Sequence, residues 1–336
     1  MAPVRGIRVI GGGPAGSAAA IAARQEDREV SLIEKSRFPR HKVCGEFLSP
    51  EIAPMLESLG VWERFLAAGP ARITHLELHF ASVQKRCKLP DAAYGLSRYR
   101  FDEMLFARAL EMGAVHQSAV TDISNPAPTV IAHGRKHSSD RGGRLFGFKS
   151  HFEGPANDAV ELYFFGGFLS GCYVGINPVE GGITNVCGLG PENVLSSHAF
   201  DFDSVVNSFP RLSERLRPLH RTMRWHSAGP LIFENRFKGE SKPLDYPAGD
   251  ALSFVDPFTG SGLLSAVLTG TLGGVAAARG IGTEVYLRQC RDRLRRPFLF
   301  SSLIRTLVGN GWAEQLAGFV PGQVLVRLTR PRCKVY

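Results

Sequence analysis

The hydrophobic pattern changes period within the first few turns of the chain. The run IRVI is strand-like, three glycines follow, and PAGSAAAIAARQ then has the small apolar composition of a helix. EVSLIEK reads as a second strand ending in an acid. SRFPRHKVCGEFLSPEIAPMLESLGVWERFL reads as a loop leading into helix, and ITHLELHF alternates like a strand with one exposed face. RYRFDEMLFARALEMGA places Phe101, Met104, Leu105 and Met112 on one helical face and stops at Gly113. TVIAHGR is a short apolar strand.

From Arg144 onward the pattern shortens. LFGFKSHF, AVELYFF, GCYVGIN and ITNVCGL are brief strands separated by Gly, Asn, Asp and Pro, as in an antiparallel sheet. YPAGDALSFVDPFTGSGLLSAVL returns to strand, loop and helix, and the remainder is helical to about Leu316. An interrupted arrangement follows. Residues 1–71, 92–144 and 240–284 form a discontinuous α/β domain, residues 72–91 and 145–239 a β-rich domain, and residues 285–336 a C-terminal helical segment. The stretch LLSAVLTGTLGGVAAA, 263–278, is short of the ~20 apolar residues a bilayer crossing needs, so it reads as a buried helix.

Composition agrees with this picture. The chain has 336 residues, 44% of them hydrophobic, enough for two domains and too apolar for a disordered chain. Its six cysteines form no C-x-x-C pair, which speaks against a zinc or thioredoxin-type site and for reduced thiols in the cytoplasm. The first strand begins almost at once, leaving no room for a targeting segment. The net charge of +9 has no basic stripe interleaved with aromatics, so no nucleic-acid partner is expected. Peripheral contact with an anionic membrane surface would fall on Arg327, Arg330, Arg332 and Lys334. The oligomeric state is left open. Histidines show no metal-ligand spacing, no metal is expected, and no nucleophile elbow is present.

The chemistry lies in two glycine-rich turns. Gly11, Gly13 and Gly16 fit G-x-G-x-x-G between a strand and a helix, with Pro14 and Ala15 opening the helix. Gly11 permits the tight turn, Gly13 lets a pyrophosphate approach, and Gly16 permits close helix–strand packing. The helix N-terminus faces the phosphates. Glu34, followed by Lys35, sits where an acid binds ribose hydroxyls and argues against a 2′-phosphate. This motif fits FAD and NAD equally. The second turn, GDALSFVDPFTGSG, adds a helix start at Gly260, Gly262 and Leu263 after Asp250 and Pro257. A flavin needs such a second site. Its ribityl hydroxyls need an acceptor, which Asp250 supplies, and its pyrimidine end gains negative charge that backbone N–H groups can meet.

These motifs, with EKSRFPRHKVCGEFLSPE and LSRYRFDEML, resemble the FAD-dependent oxidoreductases of the p-hydroxybenzoate hydroxylase fold, and especially their geranylgeranyl reductase branch. The resemblance implies a Rossmann-like FAD-binding domain with an inserted antiparallel β-sheet substrate domain and C-terminal helices. It implies Asp250 on the ribityl chain, with Pro257, Gly260 and Gly262 shaping the flavin loop. It also places Arg98 near the cofactor and Lys42, Cys44 and Gly45 beside the isoalloxazine. Cys44 is then either a proton donor or a small buried hydrophobe.

Three departures bear on activity. His133, followed by Gly134, stands where the family carries an Asp-Gly pair, and either a phosphate donor or a surface histidine fits there. Only TDISNPAP separates Val120 from Thr129, where extra strands are usual. The prenyl reductases' pocket signature, resembling Y-x-W-x-F-P, reads YVGINP here. Tyr173 and Pro178 are kept, while Gly175 and Asn177 replace two aromatics. The Trp-rich signature of flavin halogenases and an obvious halogenase lysine motif are also absent. The implied activity is reduction of a carbon–carbon double bond in an apolar substrate, either isoprenoid-like or, with the two aromatics lost, smaller or more polar. FAD is the cofactor and NAD(P)H a transient donor. Hydroxylation by a monooxygenase and an inactive flavin binder are the alternatives.

Overall fold

The computed structural model describes residues 6–119, 126–135, 144–155, 157–166, 171–231, 242–253 and 260–295. β1 (Ile7–Ile10), α1 (Pro14–Gln25) and β2 (Val30–Ile33) are the strand–helix–strand unit read from the first pattern. β3 (Phe47–Leu48), α2 (Ile52–Ser58), α3 (Trp62–Ala67), β4 (Ala71–His79) and β5 (Gln84–Gly95) follow. The chain continues through α4 (Arg98–Glu111), β6 (Val115–Gln117) and β7 (Thr129–Ile131). The β-rich part contains β8 (Leu145–Glu153), β9 (Ala159–Phe164), β10 (Tyr173–Pro178) and β11 (Ile183–Pro191). Three short helices, α5 (Glu192–Ser197), α6 (Phe202–Asn207) and α7 (Pro210–Leu216), precede β12 (His220–Arg221) and β13 (His226–Leu231). β14 (Asp245–Pro247) and α8 (Gly262–Arg279) return to the first domain, and a further helix covers 283–295.

The first sheet has the order β14-β7-β1-β2-β6 and is parallel throughout. β14 docks on β7 from far along the chain, which closes the discontinuous α/β domain. Both faces of such a sheet must be covered. α1 contributes with Ala18, Ala19, Ala20, Ile21, Ala22 and Ala23, all buried, and it packs on α4 and α8. α8 is long and apolar enough to cross a membrane, but 67% of that window is buried inside the protein, as expected of a core helix.

The second sheet has the order β12-β8-β11-β10-β9-β4-β5-β3, with β13 also on β8. The expectation of an antiparallel sheet needs one correction. β4 and β9 pair in parallel, His75 to Ala159 through His79 to Tyr163, so the sheet is mixed. The reason is topological: between these two strands the chain leaves for α4, β6 and β7, and so returns by the long crossover that parallel pairing requires. The boundary at 91 also shifts. β5 runs on to Gly95, and β3, inside the expected FAD-binding piece, pairs with its end. Helices α5–α7 were not read from the sequence. They cover one face of this sheet, where Phe148, Val174, Ile176 and Val186 meet Val205 and Leu212. The other face turns to the loop over 41–46 and to the first domain.

Candidate dinucleotide site

The first glycine turn is built as the spacing requires. Gly11 has φ +106°, its N–H donates to the Ile33 carbonyl at 2.7 Å, and a Cβ there would overlap the Ala132 carbonyl. A Cβ on Gly16 would overlap the Gly11 carbonyl. Gly13 differs, because a Cβ there meets nothing within 4 Å. That gap is the approach a pyrophosphate needs, at the N-terminus of α1.

Glu34 is buried at the end of β2. Its Oε2 accepts the Gly12 N–H at 2.9 Å and its Oε1 the Ser36 N–H at 2.7 Å. Arg40 reaches both oxygens at 3.2 Å and lies over the Phe38 ring. Burial pushes the Glu34 carboxyl up, but the two N–H groups and Arg40 outweigh it and hold it below the ordinary carboxylate range. Arg40 was not singled out from the sequence, although R-F-P-R places it beside the acid. Lys35 is exposed.

The second turn carries Asp250 in a short helical turn after β14, anchored by the Gly249 N–H on Thr269 Oγ1 at 2.8 Å. Burial pushes the Asp250 carboxyl up, and Arg135 and Arg98 pull it back. Arg135 Nε lies 3.5 Å from its Oδ2. The histidine two residues earlier takes no such part: His133 is exposed and its Nδ1 faces the Gly134 carbonyl at 2.8 Å. The side chain of this segment that faces Asp250 is therefore Arg135. Gly260 packs against Phe47, Leu263 is buried, and Gly262 is open in the same way as Gly13. Pro257 lies outside the described residues.

The 42–46 loop is clamped from the second sheet. Asn185 Nδ2 donates to the carbonyls of Cys44, at 3.3 Å, and Gly45, at 2.9 Å. The Cys44 thiol accepts the Glu46 N–H at 3.4 Å. Glu46 is fully buried with φ +53°, a strained conformation that its bonds offset. Its Oε1 accepts the Arg98 N–H at 2.6 Å and pairs with Lys149, and its Oε2 accepts from His151 Nε2 at 2.8 Å. Arg98 grips the buried Asp102 with two bonds, 2.5 and 2.7 Å, which fixes the start of α4 beside Cys44. Burial, then Arg40 and Arg98, push the Lys42 ammonium down. Glu46, Lys149, His151 and Asn185 were missed. The signal was faint: two polar residues at i and i+2 within LFGFKSHF.

The four expected substrate contacts divide. Tyr173 packs with Leu78, Phe164 and Leu189, and Gly175 is half-buried beside Leu162. Asn177 and Pro178 are buried where a Cβ on Gly95 would overlap the Pro178 carbonyl, so they close the joint between strands rather than line an open wall. On the opposite face Glu77, His79 and Glu161 converge closely enough to hold a metal, a grouping the sequence reading did not foresee. Arg86 and Arg215 already pair with the two carboxylates, so the cluster is charge-compensated.

Comparison with known proteins fits this geometry. A family model described as Tryptophan halogenase matches residues 6–82. A Flavin-dependent halogenase, rdc2, from Metacordyceps chlamydosporia is 34% identical over 109 residues, 32% of this chain and 21% of that protein. A Menaquinone reductase from Mycobacterium tuberculosis (strain ATCC 25618 / H37Rv) is 47% identical over 53 residues, 16% of this chain and 13% of that protein. The chain thus spans about a fifth or less of the length of these curated relatives. Among solved structures, the flavin-dependent brominase Bmp2 superposes with TM-score 0.78 at 19% identity, covering 96% of this chain and 92% of that one. A geranylgeranyl bacteriochlorophyll reductase-like protein from Thermoplasma acidophilum superposes with TM-score 0.69 at 18% identity, covering 97% and 91%.

The fold is therefore that of FAD-dependent halogenases and geranylgeranyl reductase-like flavoproteins: a parallel Rossmann-like sheet joined to a mixed sheet. The expected reductase branch is represented, but flavin-dependent halogenases, which the sequence reading sets aside for want of their Trp-rich and lysine motifs, are the more prominent relatives.

Proposed function

We propose that this chain is the FAD-binding unit of a flavin-dependent oxidoreductase acting on a small apolar substrate. The observation that carries this reading is the pair of open glycines, Gly13 and Gly262, at the starts of two helices that pack on each other. Each leaves an empty Cβ position at a helix N-terminus, where a bound group can approach the backbone. In this reading Gly11–Gly16 and α1 hold the pyrophosphate, with Glu34 and Arg40 at the adenosine ribose. Asp250 accepts from the ribityl chain, and Gly260–Leu263 donate to the pyrimidine end. Loop 42–46 and Arg98 border the ring. Bound FAD supplies two-electron chemistry at its isoalloxazine.

The family match and the halogenase relatives favour oxidative halogenation of the substrate. Double-bond reduction with NAD(P)H as donor is the second reading, supported by the menaquinone reductase segments, 45% and 47% identical. The two readings differ in their electron source. Anaerobic NADPH bleaching of the FAD-loaded chain supports reduction. Turnover that needs reduced FAD, air and bromide together supports halogenation, and oxygen uptake without halide supports hydroxylation. A flavin silent in every assay supports a binding protein without turnover.

Gly13→Val tests the first cradle. The position is open around a Cβ, so the thermal midpoint falls by no more than the cost of a valine at a helix N-cap while FAD no longer binds, read by absorption after desalting. Retained flavin overturns the placement. Asp250→Ala removes a charged acceptor and weakens FAD by about tenfold or more in a fluorescence titration. An unchanged affinity removes Asp250 from the site.

A further inference from the structure

The sheet face above loop 41–46 is graded in polarity, and the register sets the gradient. One cross-strand row runs His226, Lys149, Cys187, Gly175, Leu162 and Leu78. Directly opposed residues share a face, so the row is basic at one end and apolar at the other. Gly175 stands in its middle, with the Leu162 side chain leaning over it, 3.3 Å from where a Cβ would lie. His226, Cys187, Gly175 and Leu162 are each only half-buried, so the row borders a groove rather than a sealed core. Tyr173, Phe164 and Leu189 extend its apolar end.

At the basic end three imidazoles meet. The His41 ring lies 5.5 Å from that of His151, 5.9 Å from that of His226 and 4.9 Å from that of Tyr99. His41 Nδ1 is shut off from solvent and has no hydrogen-bond partner among the described residues. A buried polar atom without a partner calls for an explanation, and a ligand supplies one. The charge count limits that ligand. Lys149 is matched by Glu46. Burial, then Lys149 and His151, push the His41 imidazole down, and burial, then Arg224, Lys149 and His151, do the same to His226. An anion here relieves that repulsion. With Lys149 already paired, Arg224 is the remaining cation that acts on these rings, which suits a head of a single negative charge.

We propose that this groove takes a substrate with an apolar body and a terminal carboxylate, the carboxylate lying between His41 and His226 and the body running over Gly175 towards Leu162 and Leu78. The inference rests on the flavoenzyme reading only in taking this groove, next to loop 42–46, as the place of the substrate.

The FAD-loaded chain is titrated calorimetrically with octanoate, 1-octanol and octyl phosphate, which share one apolar body and differ in the head. Octanoate binds at least about tenfold tighter than octanol, the effect of one charge-assisted bond. Octyl phosphate, a dianion, is weaker than octanoate. His226→Leu and His41→Phe each bring octanoate down to the octanol level and leave octanol binding unchanged. Octanoate binds more tightly at pH 6 than at pH 8, because imidazoles held low gain their proton only as pH falls. Glu46, Lys149, His151, Arg224 and Tyr99 face these rings and stay fixed across the two variants. Equal affinity for octanoate and octanol, tighter octyl phosphate, or full octanoate affinity in His226→Leu overturns the inference. Flavin uptake is read separately by absorption. A chain that takes no FAD but still selects octanoate refutes the flavoenzyme reading and leaves the site, and one that binds FAD without selecting octanoate does the reverse.

Discussion

Gly270→Ala destabilises the protein by about 3 kcal/mol, although it adds a single methyl group to a helix and improves helix propensity. The reason is the crossing of α1 and α8. A Cβ at Gly270 would overlap the Ala15 carbonyl oxygen, and one at Gly274 would overlap that of Ala19. Both obstacles are backbone, so no side chain can rotate away, and the helices must separate. Separation also displaces the start of α1, where Gly13 and Ala15 border the dinucleotide cleft. FAD affinity therefore falls together with stability. Gly282→Ala is the control: its Cβ meets nothing within 4 Å, and it leaves both properties unchanged. Urea midpoints and flavin titration of the two variants check this. A Gly270→Ala protein as stable as Gly282→Ala contradicts the close approach.

That crossing shows what is legible in a sequence of this kind. GLLSAVLTGTLGGVAAAR has the small residues of a close-packed helix, and its burial follows from them, but the partner helix, 250 residues away, does not. The same holds at the site. Gly11, Gly13 and Gly16 lie within one turn, so spacing alone describes the cradle. Asp250 and Gly262 are legible because they repeat the logic of the first turn. Loop 42–46 is legible only as a loop beside the flavin. The residues that hold it come from β8 and β11, where register decides which side chains face it. Lys149 opposes Cys187 and His151 opposes Asn185, and no local pattern gives that pairing. The same limit explains the parallel β4–β9 pair and the place of Arg135. Each depends on where a distant segment returns to the fold.

Lys149→Met is the second large effect, about 3–5 kcal/mol at neutral pH. Methionine fills the lysine's volume, so little packing is lost. What is lost is the charge matching Glu46, a carboxylate with no exposed surface. The Arg98 N–H and His151 still bond to it, but Glu46 keeps a buried charge without its ammonium partner. Glu46→Gln together with Lys149→Met removes both charges; the amide oxygen still accepts the Arg98 N–H, and the amide NH2 donates to His151 Nε2 in the tautomer that leaves this nitrogen unprotonated, so the double variant recovers much of the loss. The pH dependence has a definite sign. In the wild type, burial pushes the Glu46 carboxyl up, but His151 and Lys149 outweigh this and hold it below its ordinary value. A carboxyl held low contributes stability that is present above the ordinary carboxylate range and is lost as pH falls through the lowered value. Without Lys149 the buried carboxyl takes up a proton more readily. The gap between Lys149→Met and wild type therefore narrows from pH 7 to pH 4.5, and the double variant shows no such trend. Denaturant midpoints of the three proteins at the two pH values decide the matter. A gap that stays constant with pH assigns the loss to packing and not to the charge on Glu46.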